Sequence, residues 1–419
     1  MAEVFVSSEI GTLRKVIVHA PDEGISRISP KRADELLFDD IVYLPEMRQE
    51  HQVFTDVLSA LMGQDNVLEA ETLIYEALES SHDGRVEILE LIADFEELPQ
   101  VFRQDLESLD NKQLAEVLIT GYIPEIDTIL FDPIPNFIFT RDIAVVVNDH
   151  VIITKAAKDA RHRENLLTRF IFWRHPLFAD LKANKRLINL NTVDEFPPSR
   201  RGEKVSVEGG DMMILNEDYF LVGVSERSTE HAFYSLKQAL FERNVIDHVV
   251  MVKVPSDRSY MHIDTIFTQI NYNHAVAFQP IVIDGLSSYV EVHAKNGSQR
   301  KYSSIREFVL AEVNPSMQFI LSGGGQSPYQ EREQWTDACN LLAVKPGVAI
   351  AYGRNKRTAQ ALEGVGYAIL PAHRFLEHCA EDPEFAGRLE DTIITLKSSE
   401  LSRARGGSHC MSCPILRSS

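Results

Sequence analysis

The chain has 419 residues, 44 % of them hydrophobic and 25 % charged, which suits a globular protein with a substantial core and room for more than one folding unit. With 62 acidic against 42 basic residues the formal net charge is −20, so nucleic acid and anionic membrane surfaces are poor partner classes. Four cysteines are too few for a disulfide scaffold, no apolar stretch reaches membrane-span length, and "MAEVFVSSEIGTLRKV" lacks the features of a secretion signal; a cytoplasmic protein is expected.

In chain order, "RKVIVHAP" reads as a first strand. From about residue 72 to 123 the text turns helical and acidic ("TLIYEALESS", "VEILELIADFEELPQVFRQDLES", "NKQLAEVLITGY"), which predicts an inserted helical subdomain with a solvated charged face. Residues 127–178 predict a hairpin, "FIFTRDIAVVVNDHVIITK", and a helix, "RENLLTRFIFW". Residues 205–255 predict two strands around "NED", a helix with Phe233, Leu236 and Leu240 on one face, and the strand "HVVMVKV". "MHIDTIFTQINYNHAVAFQP" at 261–280 supplies another hairpin. The full order returns at 341–371: a hairpin on Pro346-Gly347, the helix "KRTAQALEGVG" and the strand "YAILPA". Three copies of one element order point to repeated units in radial assembly, each burying a face against its neighbours. The plainer alternative is an ordinary mixed α/β protein.

Some polar residues do not fit a core. In "MHIDT" a strand would put Met261 and Ile263 on one face and His262 with Asp264 on the other, where the ionisable pair needs a partner or a ligand. Taken alone, a satisfied structural histidine explains them. Asp142 in "FTRD" could simply pair with Arg141, and Glu208 in "VEGGD" could simply mark a turn. Each acid, however, lies near the start of a hairpin in its own unit, and radial units bring equivalent positions together. Asp142, Glu208, His262 and Asp264 are then expected in one polar pocket.

The tail "RARGGSHCMSCPILRSS" admits three chemistries. A redox Cys-x-x-Cys normally opens a helix, and Pro414 follows Cys413 at once. A zinc site could join Cys410 and Cys413 to the adjacent pair His378–Cys379, a weak half-site. A single thiolate needs only a glycine loop, amide donors and a histidine elsewhere, and this reading is preferred.

These pieces together carry a resemblance. "SEIGTLRKVIVHAP", "DELLFDD", "PIPNFIFTRD", "RHRENLLTRFIFWRHP", "VEGGDMMIL", "VGVSERS", "MHIDTIFT", "LAVKPGVAIAYGRNKRTAQALE" and "RGGSHCMSCP" occur in an order that closely resembles bacterial arginine deiminases of the guanidino-group-modifying (pentein) superfamily. The resemblance covers nearly the whole chain. It implies an α/β fold: a five-bladed pseudo-symmetric propeller of ββαβ modules spanning 1–71 and 124–419, with an inserted helical bundle at 72–123. It implies hydrolysis of L-arginine to citrulline and ammonia without metal or cofactor, in a homo-oligomer (dimer or tetramer). Carried over by position, Cys410 is the nucleophile and His262 the acid/base beside Glu208. Asp142 and Asp264 grip the guanidinium, Asn136 and Leu37 touch substrate, Arg161 and Arg227 hold its α-carboxylate, and Arg405 reaches it from a loop.

The chemistry suits these groups. Paired carboxylates orient a guanidinium in bidentate fashion for attack by a thiolate. Agmatine lacks the carboxylate, so both arginines are expected to lose a partner with it, at a cost of about 2–5 kcal/mol. The competing readings are a relative acting on agmatine, methylated arginine or peptidyl-arginine, and a zinc-dependent regulatory protein.

Overall fold

The computed structural model describes residues 4–33, 35–38 and 40–418. Among them, five sheets of three to five strands share one pairing pattern: an antiparallel pair whose second strand also has a parallel neighbour. The module at 212–253 shows why. Met212–Asn216 and Tyr219–Val224 form a hairpin, and the helix Glu230–Glu242 returns the chain so that His248–Lys253 runs parallel to the second strand. Phe233, Leu236 and Leu240 on that helix are each fully buried, as an apolar stripe at helical spacing should be.

The same logic joins Ala144–Val147, His150–Ile153 and Leu187–Asn189 around the helix His162–Arg174. It also joins Phe267–Gln269 and His274–Ala277 to Gln318–Leu321. Leu342–Lys345 and Val348–Tyr352 form a fourth hairpin, followed by the helix Lys356–Gly364 and the parallel strands Ala368–Pro371 and Thr392–Leu396. The fifth sheet closes the chain on itself. The C-terminal strand Cys413–Ser418 lies antiparallel to Thr12–Val18, whose parallel neighbour Val67–Glu69 follows the helix Leu44–Met62.

The predicted helical stretch holds four helices, Ala70–Ser80, His82–Phe95, Gln100–Ser108 and Asn111–Thr120. Ser81 caps the second through the Gly84 amide (3.0 Å), and Asp110 with Gln113 makes a reciprocal capping box on the fourth. Their apolar faces share a continuous core with the helix His162–Arg174 and the strands beside it.

Two sequence expectations need correction. "FTRD" does not end a strand and "MHIDT" does not begin one: residues 140–142 and 263–265 are 3-10 turns, and the strands start at Ala144 and Phe267. The helix Leu44–Met62 and the hairpin Tyr289–Ala294/Gln299–Tyr302 were not anticipated. No helix among the described residues is long and apolar enough to cross a membrane.

Candidate active site

The 3-10 turns sit where the modules approach one another, and each delivers acidic side chains to one place. Leu37, Asn136, Asp142, Arg161, Glu208, Arg227, His262, Arg405 and Cys410 line a single cleft, together with Phe139, Arg258, Met261, Thr265 and Ala404. Asp264, the tenth residue singled out from the sequence, lies behind Cys410, with Oδ2 3.4 Å from Sγ. Glycine makes part of the fit possible: a Cβ on Gly210 would stand 2.5 Å from the His262 ring.

Glu208 organises the centre. Its Oε1 accepts the Ala157 amide (3.1 Å), and its Oε2 faces His262 Nε2 at 3.0 Å and Arg161 Nη1 at 3.3 Å. Burial disfavours its charge, but Arg161, His262 and Arg227 outweigh burial and hold the carboxyl well below the usual range. Asp142 accepts the Gly210 amide on Oδ1 (3.1 Å) and Arg161 Nη1 on Oδ2 (2.7 Å). For His262, burial pulls the pKa down, yet Asp142, Glu208 and Asp211 together raise it to about 10, so the imidazole is protonated at neutral pH.

Cys410 is fixed from three sides. Its amide donates to Asn340 Oδ1 (3.0 Å), Asn340 Nδ2 donates to Sγ (3.1 Å), and the thiol faces Asp264. Burial, then Asp264, Asp142 and Asp337, push its pKa well above that of an ordinary thiol. A cation among those carboxylates is what would lower it. Asp264 is fully buried and receives His409 Nδ1 at 2.9 Å, while its Oδ1 has no hydrogen-bond partner. Burial raises its pKa, but His409, His262 and Arg141 lower it further, so it is ionised. A buried, charged, unsatisfied oxygen beside a thiol is a ready acceptor for an N–H of a cationic ligand.

The arginines differ in their surroundings. Arg161 is held by Asp142 and Glu208 through Nη1 and by Glu164 through Nε and Nη2 (2.9 and 2.8 Å). Arg161 is therefore already paired with carboxylates before any substrate binds. Arg227 is equally buried but only within 3.9 Å of Glu208 and 3.8 Å of Glu226, and its Nε has no hydrogen bond. Arg405 stacks on Trp335, 3.3 Å from the ring centroid. Leu37 and Arg405 both carry positive φ (57° and 64°), conformations that cost side-chain-bearing residues energy and often occur at functional sites. Asn136 donates to the Leu36 carbonyl at 2.7 Å and so fixes that segment. The space between these groups that water can enter is about 30 Å³, too little for an amino acid unless a lining side chain moves.

Several participants escaped the sequence reading. Asn340 grips both ends of Cys410. His409, directly before it, bridges Asp264 to Glu9 Oε2 (3.3 Å), and Glu9 stands 3.5 Å from Arg141. Asp211 accepts the Ile263 amide (3.0 Å) and the Ser225 and Ser228 hydroxyls (2.6 Å each), fixing the turn between His262 and Asp264. The available signals were the acid in "SEIG" and the histidine in "SHC".

The zinc alternative does not assemble. Among the described residues, the one trio of potential metal ligands within 4.8 Å of one another is Asp142, Glu208 and His262, and the Arg161 guanidinium already brings positive charge there. Cys413 is carried by the last strand into a different core from Cys410, with its Sγ 3.2 Å from the Ala144 carbonyl; Cys379 lies on the helix Ala372–Glu381.

The model of the arginine deiminase family matches residues 34–128 and 125–417. Arginine deiminase of Listeria monocytogenes serotype 4b is 33 % identical over 437 residues, covering 98 % of this chain and 97 % of that protein. The enzyme of Limosilactobacillus reuteri is 31 % identical over 444 residues, covering 99 % and 98 %. Among solved structures, the amidinotransferase SxtG of Microseira wollei superposes with a TM-score of 0.53 at 12 % identity, over 99 % of this chain and 97 % of that one. The N-terminal domain of the cyanobacterial arginine dihydrolase ArgZ gives 0.51 at 11 %, over 96 % and 98 %. The structural likenesses establish a shared α/β pentein fold, and the sequence matches go further: this chain belongs to the arginine deiminase family.

Proposed function

We propose that the protein hydrolyses L-arginine to L-citrulline and ammonia through a covalent adduct on Cys410. One observation carries the reading. A thiol, a protonated histidine and three buried carboxylates, one of them with an unpartnered oxygen, meet from segments scattered between residues 142 and 410.

Asp142 and Asp264 take the N–H groups of the guanidinium. Its positive charge offsets the carboxylates that hold Cys410 as a thiol, and the thiol proton passes to solvent. The thiolate adds to the guanidinium carbon, forming a C–S bond. His262 gives its proton to one nitrogen, the C–N bond breaks, and ammonia departs, leaving a cationic thiouronium on Cys410. Neutral His262 then takes a proton from water as the oxygen adds to that carbon. Collapse breaks the C–S bond, restores the thiolate and yields citrulline, and the remaining proton leaves as ammonium with the ammonia. General acid–base help of this kind contributes about 100- to 10,000-fold.

Arg227, buried with weak partners, is read as the principal ligand of the α-carboxylate, with Arg161 joining it once displaced from Asp142. The same reading takes the five sheets as blades of a propeller, supported by their common pairing pattern and by the pairing of the two terminal strands. It takes 72–123 as an inserted helical subdomain, supported by the four consecutive helices there. A cytoplasmic location and a dimer or tetramer complete it, the latter tested by light scattering.

The deciding assay is citrulline and ammonia release from L-arginine by chelator-treated protein. Wild type should make both in equal amounts, Cys410→Ala neither, and Cys413→Ser should remain active. An inert wild type removes the substrate assignment, and a panel of agmatine and methylated arginines then decides.

A further inference from the structure

A cleft much wider than the active site lies elsewhere in the molecule. The strands Val348–Tyr352, Thr392–Leu396 and Ala368–Pro371 run parallel as neighbours, and beyond their carboxyl ends lies a cleft of about 710 Å³. Crevices at the carboxyl ends of parallel strands are where α/β folds commonly take ligands, and this volume falls within the range of small-molecule sites.

Its charge is opposite to that of the protein. In a chain of net charge −20, Arg354, Lys356, His373 and Lys397 line this cleft and no acidic side chain does. Arg354 donates to the Ser402 hydroxyl and lies near enough to Asp337 to lower the pull of burial on that carboxyl, whereas Lys356, His373 and Lys397 make no ion pair among the described residues. Three basic side chains without an ion-pair partner, with Arg354 beside them, focus a positive potential in one concavity that draws in anions.

Two further features give the anion somewhere to bind. The helix Ala372–Glu381 begins at the cleft wall with no side-chain cap and no acid in its first turn, leaving its N-terminal amides and dipole for a negative group. Ser398, 4 % exposed, also lines the cleft, and its hydroxyl has no hydrogen-bond partner. The amides just after it are already taken: Glu50 accepts those of Ser399, Glu400 and Leu401. The unused donors thus lie at Ser398, the helix start and the lysines. A tetrahedral dianion matches hydroxyl, amide and ammonium donors together, and the volume leaves room for an attached organic group.

We propose that this cleft binds the phosphate group of a small phosphorylated molecule, at a site separate from arginine hydrolysis. Calorimetric titration of the full chain with adenosine monophosphate, and separately with inorganic phosphate, tests it. One site per chain is expected, weakened about tenfold or more in Lys356→Glu/Lys397→Glu, with arginine turnover in phosphate-free buffer unchanged. Ser398→Ala, which adds no charge, should weaken binding less and guards against misfolding of the double variant. Tighter binding of the nucleotide identifies an organic phosphate as ligand, and equal binding identifies phosphate itself; both support the site. No heat at millimolar concentration of either probe, or binding that survives the charge reversal or competes with arginine, overturns it.

Discussion

Asn340 is the residue on which the reactivity of Cys410 should depend most among those that do not touch substrate. Its side chain accepts the Cys410 amide at 3.0 Å and donates to Sγ at 3.1 Å, and Nδ2 also reaches the Asp264 carbonyl at 3.3 Å. The contact is built closely: a Cβ on Gly407 would stand 2.6 Å from the Asn340 carbonyl oxygen. Asn340→Ala removes the donor to sulfur, and a hydrogen bond to a charged group is worth about 1.5–3 kcal/mol. The bond strengthens when the thiol becomes a thiolate, so kcat should fall about 10- to 150-fold. KM for arginine should change little. The same loss should raise the Cys410 pKa by about one to two units, seen as an alkylation rate whose pH dependence moves to higher pH. A folded Asn340→Ala protein with normal kcat and an unmoved alkylation profile would refute this reasoning, as would a loss confined to KM.

Other perturbations follow from the same geometry. Glu208→Gln removes a carboxylate from His262, whose pKa should drop from about 10, so the alkaline limb of the kcat profile should move to lower pH; kcat at neutral pH should fall by about 100-fold. An unmoved alkaline limb would show that Glu208 does not set that proton. Arg227→Gln should raise KM for L-arginine about 30-fold or more while altering agmatine kinetics little, and equal effects on both substrates would remove Arg227 from carboxylate recognition. Glu9 is buried, which raises its pKa, but Arg141 and His409 lower it from 4.5 to about 2. A depressed carboxyl stabilises the fold above the unfolded pKa and loses that contribution as pH falls through the folded one. Glu9→Gln should therefore cost about 3 kcal/mol in urea unfolding at neutral pH and progressively less from pH 4.5 down to about 2, whereas a pH-independent deficit would contradict the pairing.

What could be read from the sequence was whatever repeats locally. The stripe Phe233, Leu236, Leu240 and the hairpins on "NED" and Pro346-Gly347 carry their period or turn within a dozen residues. The helix Leu44–Met62 had the same signal, with Leu44, Met47, His51, Phe54 and Leu58 all buried at spacings of three and four. At 140–142 and 263–265, alternating polar and apolar letters suggested strands, but the chain tightens into 3-10 turns that aim the carboxylates sideways. Asp142 and Asp264 were thus found for their isolation at hairpin starts and placed on the wrong backbone. Asn340 had no local signal, and His409 showed only as the histidine in "SHC". Their partners lie far away in sequence, 70 residues from Asn340 to Cys410, 145 from Asp264 to His409 and 400 from Glu9 to His409. A lone polar residue acquires meaning only when distant segments meet, and the pairing of Thr12 with Ser418 is equally non-local.

The position of Arg161 bears on how a cationic substrate reaches this site. Asp142, Glu164 and Glu208 are all buried within reach of its guanidinium. Burial, joined by the charges of Asp142 and Glu208, raises the Glu164 pKa to about 7 although Arg161 opposes them, so a further negative charge is disfavoured in this cluster. Stripping a guanidinium from such a cluster without replacement would leave desolvated carboxylates uncompensated, a cost of several kcal/mol. L-Arginine brings its own guanidinium, and a cleft that admits only about 30 Å³ of water has to open by movement of a lining side chain such as Arg161 to take it. On the proposed reading, binding exchanges one guanidinium for another on Asp142, and Arg161, once displaced, becomes available to the substrate's carboxylate. Agmatine can drive the first half of that exchange but offers the displaced arginine nothing. On the same proposed reading, discrimination between the two substrates comes from where Arg161 goes as well as from the anion that Arg227 holds.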